Sequence, residues 1–309
     1  MLIVVALGGN ALLRRGEPLD AALQRANIKV AAEAVAEIAA EHRIVLTHGN
    51  GPQVGLLSLQ NEAYRDVDAY PLDVLDAESE GMVGYLLEQE LGRHLSRERL
   101  ATMLTQVVVD PEDPAFAGPT KFVGPVYDAR QARVLAEERG WTVARDGQHW
   151  RRVVPSPEPK GIVEIDTIRI LVDQGVTVIC AGGGGIPVAP DITGELRGVE
   201  AVIDKDLSAS LLATALGADA LVLLTDVDAV YVGWGTPKQQ PLRETTPTEL
   251  RSLNLPAGSM GPKVEAICRF VDAGGRIGAI GALEQAADIV RGDAGTVVRS
   301  QGAEQEERQ

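Results

Sequence analysis

The chain opens Leu2-Ile3-Val4-Val5-Ala6-Leu7-Gly8-Gly9-Asn10-Ala11-Leu12, and this stretch narrows the possible folds more than any other. An apolar run rich in β-branched residues that breaks into glycine reads as a central parallel strand buried on both faces. Glycines at its carboxyl end let the backbone come close to a ligand. The N–H groups there and at the next helix start form an anion site. Comparable glycine-rich strand ends recur at Gly49 and Gly51, at Gly182 to Gly185, and at Gly258 with Gly261. In open α/β sheets ligand loops gather at the carboxyl ends of strands, so these loops are expected to converge on one crevice.

Between the glycine loops the pattern alternates. Residues 19–41 carry Ala22, Ala26, Val30, Ala34, Val35 and Ile38 at helical spacing and read as the crossover of a βαβ unit. Residues 43–47 read as a strand, 71–95 as a helix with Leu72, Leu75, Met82, Leu86, Leu87 and Leu91 inward, and 104–109 as a third strand. The alternation resumes with helices at 163–174, 204–216 and 262–273 and strands at 176–181, 220–225 and 277–280. It predicts an α/β fold, a three-layer α/β/α sandwich around one doubly wound, mainly parallel open sheet, in a single domain over residues 1–300. Residues 110–159 differ in texture, being rich in proline with one clear helix at 129–139. Trp141, Val143, Trp150, Val153 and Val154 suggest a hairpin with its own apolar face, so 112–157 is expected to form a protruding subdomain. The tail, 301–309, is polar and acidic and is expected to be disordered.

Charge and cysteine usage exclude several functions. A net charge of −15 argues against nucleic-acid or anionic-membrane partners, which need clustered Lys and Arg. Cys180 and Cys268 have no metal-ligand spacing and read as buried reduced thiols of a cytosolic protein. No basic-then-apolar leader and no apolar run near the ~20 residues that span a bilayer are seen, so a soluble cytoplasmic protein is expected.

Any bound phosphate must therefore be held by backbone amides and a few local lysines. The quadruple glycine is followed by Pro187 and Ala189-Pro190-Asp191 where a dinucleotide fold would start a helix, and no Gly-Lys-Ser/Thr motif exists. Asp204-Lys205-Asp206 opens a helix after a glycine-rich loop; ordinary capping would explain the aspartates alone. Lys263 follows Pro262 in a first helical turn, where a cation opposes the helix dipole unless an anion binds there. Lys121 stands at the root of the proline-rich segment, in Gly118-Pro119-Thr120-Lys121.

Five stretches then carry a resemblance: residues 6–12, His48-Gly49-Asn50-Gly51-Pro52-Gln53-Val54-Gly55, Arg152-Val153-Val154-Pro155-Ser156-Pro157, Val202-Ile203-Asp204-Lys205-Asp206, and Gly258-Ser259-Met260-Gly261-Pro262-Lys263-Val264. In order and spacing they resemble the signature stretches of the carbamate kinases, a branch of the amino acid kinase family. The resemblance implies phosphoryl transfer between carbamoyl phosphate and ADP, giving ATP and carbamate, with Mg2+, in a cytoplasmic homodimer. It implies catalytic roles for Lys121, Lys205, Asp206 and Lys263, with Asp206 orienting the lysines. Gly8, Gly9, Asn10, Gly49, Asn50 and Gly51 would bind substrate. Thr225, Asp226, Val227, Tyr231, Met260 and Lys263 would hold the nucleotide, and no residue is assigned as a metal ligand. Many amino acid kinases carry a lysine just before the first glycines; here Ala6 and Leu7 stand there, and Lys121 is the expected replacement. A kinase of another small carboxylic acid and a non-catalytic nucleotide-binding regulator are the alternatives. The loop from His48 to Gly55 lacks the cation a larger acid needs, and the lysines a regulator could lose are all present.

Overall fold

The computed structural model describes residues 1–13, 17–64, 66–253, 255 and 260–300. The expectations at Gly258 and Ser259, for the tail 301–309 and for the side chain of Asn10 lie outside the described residues.

The first strand, Leu2–Leu7, lies inside an eight-stranded sheet. Its neighbours, both parallel, are Arg43–His48 on one side and Ala220–Thr225 on the other. Beyond them Thr177–Ile179 and Leu100–Thr102 extend the parallel array one way and Ile277–Ala282 the other. Thr296–Val298 then pairs antiparallel with Ile277–Ala282. The first strand has no solvent face, because side chains alternate between two cores: Leu2, Val4 and Ala6 enter one, Ile3, Val5 and Leu7 the other. Helices cover both faces, which makes the three-layer sandwich.

Two expectations change, and one helix adds polar residues to its inward face. The stretch 104–109 is not a strand of the main sheet: Leu100–Thr102 forms that sheet's edge, whereas Gln106–Val109 joins a second, four-stranded sheet with Pro159–Ile162, Ile186–Pro190 and Leu196–Gly198. The chain turns between them at Thr105, whose carbonyl accepts from Ile186 N at 2.8 Å. One doubly wound sheet therefore becomes a principal sheet with a smaller companion. The helix Ala21–Ala39 buries Ile28, Ala31, Ala32, Val35 and Ile38, and Val30 is exposed. Two apolar stripes compete on this helix, and the one holding both isoleucines buries the larger area. The helix Leu72–Leu91 turns Asp76, Ser79 and Glu80 inward along with its leucines, which no apolar pattern could show.

The proline-rich segment is folded. Lys121–Tyr127, His149–Val154 and Val143–Asp146 make a three-stranded antiparallel sheet, backed by the helix Ala129–Arg139. That helix starts in a capping box between Asp128 and Gln131 and stops at Gly140, whose positive φ of 65° suits only glycine well. This outlying sheet rests on the helix Gly51–Ala63. A Cβ on Gly55 would come within 2.2 Å of the Gly124 Cα, so the approach needs glycine at 55, while Gly124 is favoured by its positive φ of 69°.

Candidate active site

The turns after the first two strands lie against each other. Gly8 N donates to Leu224 O at 2.8 Å and Gly49 N to Leu7 O at 3.0 Å. A Cβ on Gly8 would stand 2.9 Å from that same Leu224 oxygen, and one on Gly49 3.1 Å from Gly9 N. Added side chains at Gly9 or Gly51 would meet nothing within 4 Å, so these two positions face open space. Gly51 begins a helix whose N-cap, Asn50, makes no side-chain cap bond, leaving first-turn N–H groups to an external anion.

The lysines gather over this floor. The Lys205 Cδ lies 3.5 Å from where a Gly49 Cβ would be, and its Nζ binds Asp206 Oδ1. Lys263, 7% exposed, reaches the other oxygen of the same carboxylate, Nζ to Oδ2 at 2.9 Å. Lys121 Nζ binds Asp204 Oδ2 at 2.6 Å. Burial alone would raise both carboxyl groups, yet the lysines outweigh it. Lys205 and Lys263 hold Asp206, and Lys121 holds Asp204, below the usual carboxylate range. Burial pulls the Lys205 amine below its ordinary value, with Asp206 opposing that shift.

Asp204 does two things at once. Its Oδ1 accepts from Asp206 N and Leu207 N, the capping that the sequence suggests, and its Oδ2 holds Lys121. The expectation that Asp206 orients all the lysines is thus corrected: it carries Lys205 and Lys263, and Asp204 carries Lys121. Capping logic hid the second role, because a cap aspartate has a spare oxygen whose partner, 83 positions away, no local pattern reveals.

His48 is fully buried under the loop. Its Nδ1 donates to Gly49 O at 3.1 Å, and burial, reinforced by Lys205, pushes the imidazole down to about 4. Asn50 is also buried, and its Nδ2 donates to Asp76 Oδ1 at 3.1 Å and Ser79 Oγ at 2.8 Å. The expected nucleotide residues are more scattered. Thr225 ends the strand beside Gly8 and donates to exposed Asp226 at 3.1 Å; Val227 follows half-buried. Tyr231 donates to Asp228 Oδ1 at 2.7 Å and meets the exposed ring of Trp234 edge-on. Met260 packs half-buried against the core, a placement that apolar burial explains. Among the described residues no group of three His, Cys, Asp or Glu side chains gathers as a metal site. No described helix is long and apolar enough to cross a membrane.

Comparison with known proteins gives this arrangement its context. The model of the amino acid kinase family matches residues 1–280. The chain is 59% identical to a carbamate kinase of Rhizobium meliloti (strain 1021), over 97% of this chain and 94% of that protein. It is 53% identical to a carbamate kinase of Haemophilus influenzae, over 96% of each. The structure of a Giardia lamblia carbamate kinase bound to AMP-PNP superposes with a TM-score of 0.88 at 41% identity, covering 97% of this chain and 98% of that one. With family model, near-full-length relatives and fold in agreement, the chain belongs to the amino acid kinase family and, within it, to the carbamate kinases.

Proposed function

We propose that this chain transfers a phosphoryl group reversibly between carbamoyl phosphate and ADP, yielding carbamate and ATP. The observation that carries this reading is the convergence of Lys121, Lys205 and Lys263 on two adjacent aspartates, beside glycine turns with no side chains to fill the space. Carbamate is a small planar anion without a side chain to grip. Backbone N–H groups of Gly9 and Gly51 suit it, while Gly8 and Gly49, whose N–H groups bond within the sheet, bind it by leaving room for its approach, and the loop from His48 to Gly55 has no cation that would select a longer acid.

The attacking oxygen of carbamate is already negative, so no general base is needed and His48 has no proton-transfer task. The remaining work is to align two anions and neutralise the charge on the transferring group. Lys205 and Lys121 serve that group, and Lys263 the nucleotide phosphates. Asp206 and Asp204 hold the three ammonium groups in fixed directions, so little reorganisation accompanies the reaction. In this reading Thr225, Asp226, Val227 and Tyr231 border the nucleotide. Magnesium enters with the nucleotide as part of the substrate. There it would add positive charge at the transferring group, and Asp204 and Asp206 are already engaged by lysines. The outlying sheet that carries Lys121 acts as a lid. A cytoplasmic homodimer completes the proposal, supported by membership of the carbamate kinases and by two buried thiols suited to a reducing compartment.

The test is ATP formation from ADP with carbamoyl phosphate, acetyl phosphate or the acyl phosphate of a longer acid as donor. Carbamoyl phosphate is expected to be the best donor by at least tenfold in kcat/KM. No ATP from it, or a preference for a longer donor, overturns the assignment.

A further inference from the structure

The loop Gly182–Gly184 offers no side chain to a substrate, yet it separates the two halves of the site. A Cβ on Gly183 would lie 2.1 Å from the Asn50 amide, and one on Gly184 2.6 Å from the Ile203 carbonyl oxygen. Asn50 heads the glycine turn of the second strand; Ile203 leads directly into Asp204, Lys205 and Asp206. The spacer has little shape of its own. Ala181, Gly183, Gly184 and Gly185 all sit at positive φ, from 51° to 107°, so outside anchors must define it.

Those anchors are visible. Thr47 Oγ1 donates to Ala181 O at 2.8 Å, and Ala181 N donates to Thr105 Oγ1 at 2.9 Å. Gly182 N donates to Glu80 Oε1 at 2.8 Å, while Glu80 Oε2 accepts from Thr105 N at 3.2 Å. Glu80 is 1% exposed, and burial lifts its carboxyl to about 8 against the pull of those N–H groups. A residue needed only for packing would avoid that cost by being apolar. On the same face of the helix Leu72–Leu91, Asp76 and Ser79 take the two Asn50 hydrogen bonds, so one helix face grips both the spacer and the glycine turn.

We propose that Glu80 is a positioning residue for phosphoryl transfer: clamped on the amides of Gly182 and Thr105, its carboxyl group sets the spacer and thereby the separation of the Asn50 turn from Lys205. This rests on the phosphotransferase reading above. Protonated or not, each carboxyl oxygen keeps a lone pair for an N–H, whereas the amide nitrogen of glutamine has none and would confront one of the two donors.

The experiment compares wild type, Glu80→Gln and Glu80→Leu as full chains. It measures ATP formation from carbamoyl phosphate, ADP dissociation constants, melting temperature and hydrogen exchange over residues 180–186. For Glu80→Gln the expectation is a kcat at least tenfold lower, an ADP dissociation constant within threefold, a retained cooperative melt, and exchange at least tenfold faster across the spacer. Glu80→Leu removes both acceptors and should lower kcat by a further factor of ten. A kcat within twofold of wild type, spacer exchange at the wild-type rate, or a loss shared equally by ADP binding would overturn the proposal. A wild type that makes no ATP, with the exchange contrast intact, defeats the functional reading and supports the clamp. An active wild type with an equally active Glu80→Gln defeats the clamp alone.

Discussion

Asp206 is held between two ammonium groups where water scarcely reaches, so its removal exposes the lysines to each other. Breaking a buried pair by deleting one partner costs about 3–5 kcal/mol, and Asp206→Ala should lose stability on that scale in urea unfolding, with part regained on adding ATP. The acid dependence has a definite sign. Asp204 and Asp206 have folded pKa values below their unfolded ones. Their contribution is therefore full above about pH 4 and is lost as pH falls through the folded values, which makes wild type more acid-sensitive than Asp206→Ala. Lys121 is more exposed and its pairing counts less for the fold. Lys121→Ala should lower kcat more than a hundredfold with ADP affinity nearly unchanged, and a mild loss would defeat its assignment. Lys263 was legible in the sequence because a cation stood where the helix dipole disfavours it. Asp204 in its second role was not, since its lysine partner comes from the outlying sheet, 83 positions away.

The helix Leu72–Leu91 shows where pattern reading stops. Its leucines identify it as a helix and fix its inward face, yet Asp76, Ser79 and Glu80, which share that face, are invisible to hydrophobic periodicity, which registers them as solvent-side residues. Their partners are backbone amides and an asparagine brought close by strand order, and strand order is not written locally. The carboxyl of Glu80 also gives the element a pH signature. Its folded pKa of about 8 lies above the unfolded one, so its contribution is present below the unfolded value and lost as pH rises through 8. Thermal melts of wild type should weaken from about pH 5 to about pH 8 and level off above it, and Glu80→Gln should flatten that slope. The contact between helix Gly51–Ala63 and the outlying sheet makes another element-level prediction. Gly55→Ala places a methyl 2.2 Å from the Gly124 Cα, so the sheet must lift and carry Lys121 with it. A stability loss of about 1–3 kcal/mol with a kcat falling by more than KM for ADP rises is expected.

At the scale of the whole molecule, the three-layer architecture was readable from the alternation of apolar runs and amphipathic segments. The second sheet was not, because a strand that changes sheets looks like any other strand. Both cysteines are buried, and burial raises both thiols, that of Cys268 to about 11. The folded chain should accordingly resist thiol-modifying reagents until denaturant is added. One consequence follows from the site's own charges. Three ammonium groups against two carboxylates leave a small surplus of positive charge, set in a protein whose total is −15. ADP and carbamoyl phosphate must approach through a repulsive far field before any attraction is felt. From about 10 mM to about 100 mM salt the screening length shrinks from about 30 to about 10 Å, muting the distant repulsion before the close contacts weaken. Added salt in that range should quicken substrate capture, a trend opposite to that of enzymes whose surfaces draw anions in.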